Sequence, residues 1–328
     1  MSVRRFHVLL AAILAGLTVL AITFGETPLT WAQYADAFRH PASPPGEVLW
    51  ALRAPRAAAA AVVGAALGLA GAVMQGLLRN PLAEPGVLGV SAGGGFGAAA
   101  AIALGLAALP GAVEAAALAG ALAAGVVVMA VAARFREPET LILFGVALSA
   151  FAGALTALVF NLSPSPVSTA EVLSWLMGSV ANRDWSDIGR ALVPMAAGAG
   201  LCAYAARGLL ALTLGEETAA LSGLPMARLR AAAVAGAALL TGAAVAMSGV
   251  IGFVGLAAPH LVRGGVRHDP VRVLAPSAFV GASLLVAADL LGRVLPTEVE
   301  LKLGVVTALF GAPMFALATW RAARSWRA

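Results

Sequence analysis

The sequence predicts an all-α polytopic membrane protein of about ten transmembrane helices, and three observations carry that expectation. Of 328 residues, 61% are hydrophobic and 11% are Asp, Glu, Lys or Arg, less than half of the roughly 25% charged residues of an ordinary soluble domain. So few charges cannot cover a water-facing surface. Nine stretches carry none of these four residue types: 6–25, 57–78, 85–113, 115–133, 140–170, 191–206, 231–262, 273–288 and 303–320. A helix needs about 20 apolar residues to cross about 30 Å of hydrocarbon, and most of the runs meet that length. The run 231–262 would extend about 48 Å as one helix, at about 1.5 Å per residue. It also contains Ser248, Gly249, Gly252 and Pro259, so it predicts two spans and brings the total to ten.

Along the chain, Met1–Arg5 followed by 6–25 has the order of a secretory signal. The apolar part is long for one, and no convincing small-x-small cleavage site precedes Glu26, so it reads as the first span. An even number of spans places both termini on one side. Counting Lys and Arg in the connecting segments gives 14 on that side and 7 on the other, and the excess of basic residues marks the cytoplasmic face. The termini are therefore expected inside. Segments 26–50 and 161–187, expected outside, are long enough for surface helices and contain Trp31, Trp50, Trp175 and Trp185, the residue type of a membrane interface. Glycine and alanine recur at helix-packing spacing, as at Gly64 and Gly68, where small side chains let backbones approach.

The net charge is +5 and the isoelectric point is near 10.6. The basic residues are scattered between apolar runs, which does not favour nucleic acid as a partner. Cys202, the sole cysteine, offers neither a disulfide nor a metal cluster. The string 89–97, Gly-Val-Ser-Ala-Gly-Gly-Gly-Phe-Gly, resembles a phosphate-cradling loop but lacks the Lys-Ser/Thr that would follow. It predicts a flexible or broken helix instead.

Four segments are candidates for function. Arg53-Ala-Pro-Arg56 places two cations three residues apart at the outer entrance of the second span, and predicts a compact cationic patch facing outward. Snorkelling to lipid headgroups is the competing reading. Arg293, also outer, has Asp289 four residues before it, the spacing of an intrahelical ion pair. The inner turn from Gln75 to Gly89 contains Pro81 and Pro85, with Asn80 and Glu84 suited to capping its amides.

The longest inner connection, 212–230, has Glu216 and Glu217 at a helix start after Gly215, then Gly223 at its end and Pro225 opening another helix. Two short helices at an elbow are expected. Leu221, Leu224 and Leu229 would fill a partner's groove or lie on the membrane. Finally, Gly249, Gly252 and Gly255 around Phe253 clear one helical stripe for close packing or a moving gate. His260, beside Pro259 at a helix end, reads as a hydrogen-bonded structural residue more readily than as a haem ligand.

These segments together resemble the permease subunits of the iron-siderophore, haem and cobalamin class of ABC importers. The likeness rests on Arg-x-Pro-Arg at 53–56, Gln75 through Asn80-Pro-Leu-Ala-x-Pro to Gly89, and the Gly223-Leu-Pro elbow. It continues through Gly252-Phe-Val-Gly-Leu with Pro259, His260 and Arg263, then Ala288-Asp289 with Arg293, and Gly311-Ala-Pro313. It spans nearly the whole chain in order, so 1–328 is read as one permease domain with a coupling segment at 212–230.

The resemblance implies a homodimer in the cytoplasmic membrane, two cytoplasmic ATPases, and a periplasmic binding protein that delivers the ligand. Arg53, Arg56 and Arg293 match positions that meet acidic residues of that binding protein. The elbow matches the coupling helices that sit on the ATPases. It implies no catalytic site, metal or cofactor in this chain, with ATP and Mg used by the ATPase partner. One departure is Lys302, where the family has proline; its charge near the outer mouth would favour an anionic ligand such as haem propionates or a ferric chelate.

Two rivals remain. An ion-coupled secondary transporter would show ionisable residues deep in its spans, whereas Glu114 and Asp289 fall at span ends. A membrane-embedded enzyme would need a cluster of His, Cys, Asp and Glu, which the sequence lacks.

Overall fold

A computed structural model of the protein describes residues 3–25, 27–135, 137–163, 165–267, 269–295 and 300–325. All regular structure among these residues is helical. The chain opens with α1 (Val3–Thr23), the short α2 (Trp31–Arg39) and α3 (Pro44–Gly46), whose π-helical continuation Glu47–Arg53 runs into α4 (Ala54–Leu77). Then come α5 (Val90–Ala103), α6 (Ala112–Arg134), α7 (Pro138–Leu162), α8 (Pro166–Leu176) and α9 (Trp185–Leu212). The last five are α10 (Glu216–Leu221), α11 (Met226–Ser248), α12 (Val254–Val262), α13 (Leu274–Val294) and α14 (Leu303–Ser325).

Local chemistry sets the starts. Thr30 and Gln33 form a capping box at α2, and Asp184 and Asp187 form one at α9. Ser165 caps α8 immediately before Pro166. Each arrangement satisfies amide groups that a helix start leaves without an internal partner.

Seven helices are long and apolar enough to cross a membrane: α1, the continuous Pro44–Leu77 unit, α6, α7, α9, α11 and α13. The apolar helix Val90–Ala103 and the apolar part of α14, Leu303–Leu317, are shorter. The tenth place belongs to α12, and its nine residues would cover only about 14 Å at about 1.5 Å per residue. The expected break in 231–262 is present: α11 stops at Ser248, five irregular residues follow, and α12 begins at Val254. Surface helices were expected in 26–50 and 161–187, and α2 and α8 occupy them.

Helices α4 and α11 are buried along most of their length, whereas α1 and α7 present most of their apolar side chains outward. Small residues permit the close crossings of α4. A Cβ on Gly64 would stand 2.2 Å from the Gly281 carbonyl oxygen, and one on Gly68 would stand 2.2 Å from that of Ser277. Without a hydrophobic driving force between helices in lipid, such backbone proximity supplies the dispersion contact that holds them.

The glycine string 89–97 does the same between α5 and α6. A Cβ on Gly97 would meet the Ala116 carbonyl oxygen at 2.2 Å, and Gly120 faces Gly93 as closely. The expected flexible or broken helix is therefore absent there: from Val90 the segment is regular helix, because glycine removes the side chains that would hold α6 away.

Candidate functional site

Following α4 from Arg53 to Leu77 leads from one end of the bundle to the other, since Gly76 packs against Leu209 near the last turn of α9. The two ends are called the arginine end and the elbow end.

At the arginine end, Arg53, Arg56 and Arg293 come together, but not as an open patch. Arg53 is 6% exposed. Its Nη1 donates to the Thr23 carbonyl at 2.9 Å and to that of Ile22 at 3.4 Å, and its Nη2 donates to the Thr27 carbonyl. Arg293 Nη1 donates to the carbonyls of Ala21 at 3.1 Å and Phe24 at 3.3 Å. Two cations thus cover the carbonyl end of α1, where the helix dipole favours positive charge.

Arg56 donates through Nε and Nη2 to Asp289 Oδ1, at 2.9 and 2.8 Å, and also pairs with Glu300. Asp289 pairs in addition with Arg293 at 2.9 Å, the i, i+4 pairing that the spacing predicted. Three arginines against Asp289 and Glu300 leave a formal +1. The expected outward-facing cationic patch is corrected to a mostly buried ion-pair network, because α1, α4, α13 and the strand of chain before α14 close over it. Its best exposed member is Glu300, with 30% side-chain exposure.

At the elbow end, α9 leads through Gly215 to α10, and Gly223 reverses the chain at φ +74° with open space where a side chain would be. A left-handed backbone, not crowding, makes glycine suitable there. One short helix forms instead of the two expected, because the residues after Pro225 join α11 directly.

Leu229 is buried, its Cβ 2.9 Å from the place a Cβ on Gly208 would take, so it belongs to this fold and not to a partner's groove. Leu224 is partly buried against the core, and Leu221 is 88% exposed. The backbone of Glu216 begins α10, and its side chain lies outside the described residues, as do all of Arg136 and Arg327. Glu217 lines a cavity of about 440 Å³ between α6, α10 and the start of α11.

Between the two ends lies the 249–253 link. Gly249 has φ +72°, and a Cβ there would stand 2.2 Å from the Trp175 carbonyl oxygen. Phe253 takes φ +67°, a strained setting for a non-glycine residue. Gly252 has open space around it, whereas Gly255 packs on α4 so closely that a Cβ on Gly71 would stand 1.8 Å from its carbonyl oxygen. The single helical stripe expected for Gly249, Gly252 and Gly255 is not formed, since only Gly255 is in a helix.

Sequence reasoning missed the polar ties around this link. Gln75, 2% exposed, donates to the Gly255 and Leu256 carbonyls at 3.5 and 3.4 Å and accepts from Arg263 Nη2 at 2.5 Å. Asn80 does serve its own turn, accepting from the Leu82 amide at 2.9 Å. Glu84 does not; it accepts from the Phe253 amide instead. A glutamine inside an apolar run and a downstream arginine were the only signals available, and neither names its partner.

Burial pushes the Glu84 carboxyl up to about 7, against the smaller lowering effect of the Phe253 amide. The value is raised above the ordinary 4.5, so folding takes up a proton between the two. The associated stability is fully present below about pH 4.5 and is lost as pH rises through about 7. Glu84→Gln should therefore flatten the pH dependence of the melting temperature across that window, measured in one detergent. Parallel profiles for the two proteins would refute the assignment.

His260 is exposed, and no group of three or more His, Cys, Asp or Glu that could hold a metal occurs among the described residues. The chain is a helical bundle with an arginine–carboxylate network at one end and α10, with its exposed Leu221, at the other. That is the architecture of a permease subunit of an ABC importer, and comparison with known proteins agrees. The FecCD transport family matches residues 12–321, and the chain belongs to that family.

Among its relatives, the uncharacterized ABC transporter permease protein YvrB of Bacillus subtilis is 40% identical over 287 residues, covering 85% of this chain and 80% of that protein. The vitamin B12 import system permease protein BtuC of Escherichia coli O157:H7 is 39% identical over 315 residues, covering 95% and 93%. A solved structure described as an inward-facing conformation of a metal-chelate type ABC transporter superposes with TM-score 0.86 at 30% identity, covering 97% of this chain and 99% of that one.

Proposed function

We propose that this chain works as a homodimer in the cytoplasmic membrane, with both termini inside, and imports an iron chelate or cobalamin. Two ATP-binding subunits would engage the elbow, and a periplasmic binding protein would deliver cargo to the arginine end. The observation that carries the reading is the separation of the two features along α4, from Arg56 at one end to the packing of Gly76 on Leu209 at the other. The relatives' names support the cargo class: one imports vitamin B12, and one is of metal-chelate type.

In this reading Gly215, Glu216, Glu217, Leu221, Gly223, Leu224 and Pro225 transmit nucleotide-driven movement. The link at Gly249, Gly252, Phe253 and Gly255 flexes in response. Arg53, Arg56 and Arg293 serve docking as an assembled network, in which a carboxylate of the binding protein replaces Glu300 on Arg56. ATP and Mg act in the partner ATPase.

The decisive experiment is ATP hydrolysis by the reconstituted complex with its binding protein, comparing haem, ferric siderophores and cobalamin. Stimulation by one of them is expected. Uptake that runs on a proton or sodium gradient without ATP would instead establish the secondary transporter.

The docking role makes a separate prediction. Glu300→Gln removes the competing carboxylate and should tighten the binding protein's Kd about three- to tenfold at low salt, with the gain shrinking at high salt. Affinity unchanged at both salt concentrations would contradict the role.

A further inference from the structure

Pro259 lies inside α12 and withholds the amide that would otherwise reach the Gly255 carbonyl four residues back. That carbonyl faces α4 and not water: Gly255 is buried, and a Cβ on Gly71 would stand 1.8 Å from its oxygen. A buried carbonyl without a donor is costly. Gln75 of α4 supplies one, its Nε2 donating to the Gly255 and Leu256 carbonyls at 3.5 and 3.4 Å while its Oε1 accepts from Arg263 Nη2 at 2.5 Å. A guanidinium only donates and carbonyls only accept, so one orientation of the amide serves both. A single side chain of α4 thus fastens the start of α12 and the residue that follows its end.

The chain before α12 is fastened to a different part of the fold. The Ser248 carbonyl accepts from the Ser179 amide at 2.7 Å, and a Cβ on Gly304 would stand 2.9 Å from the Val250 carbonyl oxygen. Between the two attachments lie Gly252, where a Cβ would meet nothing within 4 Å among the described residues, and Phe253 in its left-handed conformation. The elbow is close to the α4 attachment. Gly76, next to Gln75, packs on Leu209 of α9, and a cavity of about 310 Å³ is bordered by Gln75, Arg263 and Thr213, the last two residues before Gly215.

We propose that Gln75 is a positioning residue for transport: it makes α12 move with α4, so that displacement at the elbow arrives at Gly252 and Phe253 instead of being absorbed between α4 and α12. The inference rests on the importer reading and narrows the flexing link to that pair of residues, with Gly255 moving as part of α12. Both carbonyls that Gln75 holds belong to the first turn of α12, next to the pair that flexes. Loss of the glutamine frees that turn from α4, while the close approach of Gly71 to Gly255 keeps the two helices packed.

The test separates stability from coupling. Gln75→Leu leaves the Gly255 carbonyl without a donor and should lower the melting temperature of the permease, in one detergent, by about 3–6 °C. Pro259→Ala returns an amide to that carbonyl, so Gln75→Leu made in the Pro259→Ala background should cost at most about half as much. Uptake per ATP hydrolysed is then measured for the full complex with its ATPase and binding protein in proteoliposomes, using whichever of haemin, ferrichrome or cyanocobalamin the wild type carries. It should fall about fivefold or more with Gln75→Leu, and stay as far below that of Pro259→Ala in the double variant. A glutamine that only stabilises the fold would regain uptake together with melting temperature. That joint recovery, or equal melting-temperature losses in the two backgrounds, would overturn the positioning role and leave the importer intact. A wild-type complex that hydrolyses ATP and accumulates none of the three would overturn the importer reading, and the positioning role with it.

Discussion

Replacing Asp289 by alanine should cost this protein about 3–5 kcal/mol of stability, the usual consequence of removing one partner from a buried ion pair. Asp289 is 2% exposed and is the shared anion of Arg56 and Arg293. Without it, three arginines face Glu300 alone, and the formal charge of the cluster rises from +1 to +2. Those arginines cannot leave easily, because Arg53 and Arg293 are tied to the carbonyl end of α1.

Thermal unfolding in one detergent measures the effect. A second variant keeps the test decisive where the first fails to fold: Asp289→Asn combined with Arg293→Met removes one charge of each sign and should lose clearly less than Asp289→Asn alone, a coupling visible in a double-mutant cycle. Additive losses would show that the two residues do not interact in the folded protein.

The network also illustrates what a sequence discloses. The three arginines stood out because each lies at the edge of a long apolar run, and the Asp289–Arg293 pair was legible from its spacing of four. The Arg56–Asp289 contact joins residues 233 positions apart, and no local pattern encodes it. A cation at a span end looks identical in sequence whether it snorkels, docks a partner or caps another helix. Only the placement of α1 against α13 distinguishes them.

The spans divide in the same way. Hydropathy located every long helix, since the absence of charge over about 20 residues is a direct consequence of the bilayer as solvent. The break at Gly249 was legible too. The short length of α12 was not, because composition does not reveal where within an apolar run a helix starts and stops. Glycine misled at 89–97 and informed at Gly64 and Gly68 for one reason: a missing side chain permits either a bend or a close neighbour, and the neighbour decides which.

The elbow carries the largest functional prediction. Leu221 is 88% exposed at the end of α10, and a leucine so placed gains nothing from its own fold. If α10 seats in a groove of the ATPase, that side chain is the natural anchor, and an acid in its place would have to be buried without a partner. Leu221→Asp should therefore reduce ATP-driven uptake more than about tenfold and loosen co-purification of the ATPase. The melting temperature of the isolated permease should stay near wild type, because nothing around Leu221 is disturbed.

Leu229→Ala provides the contrast. That side chain is 4% exposed and packs at Gly208, so its truncation should lower stability by about 2–5 kcal/mol without an acidic group at any partner surface. A Leu221→Asp complex that assembles and imports at the wild-type rate would place the coupling contact elsewhere on the molecule. Loss of uptake with assembly intact would place the role of α10 in transmitting movement and not in holding the motor.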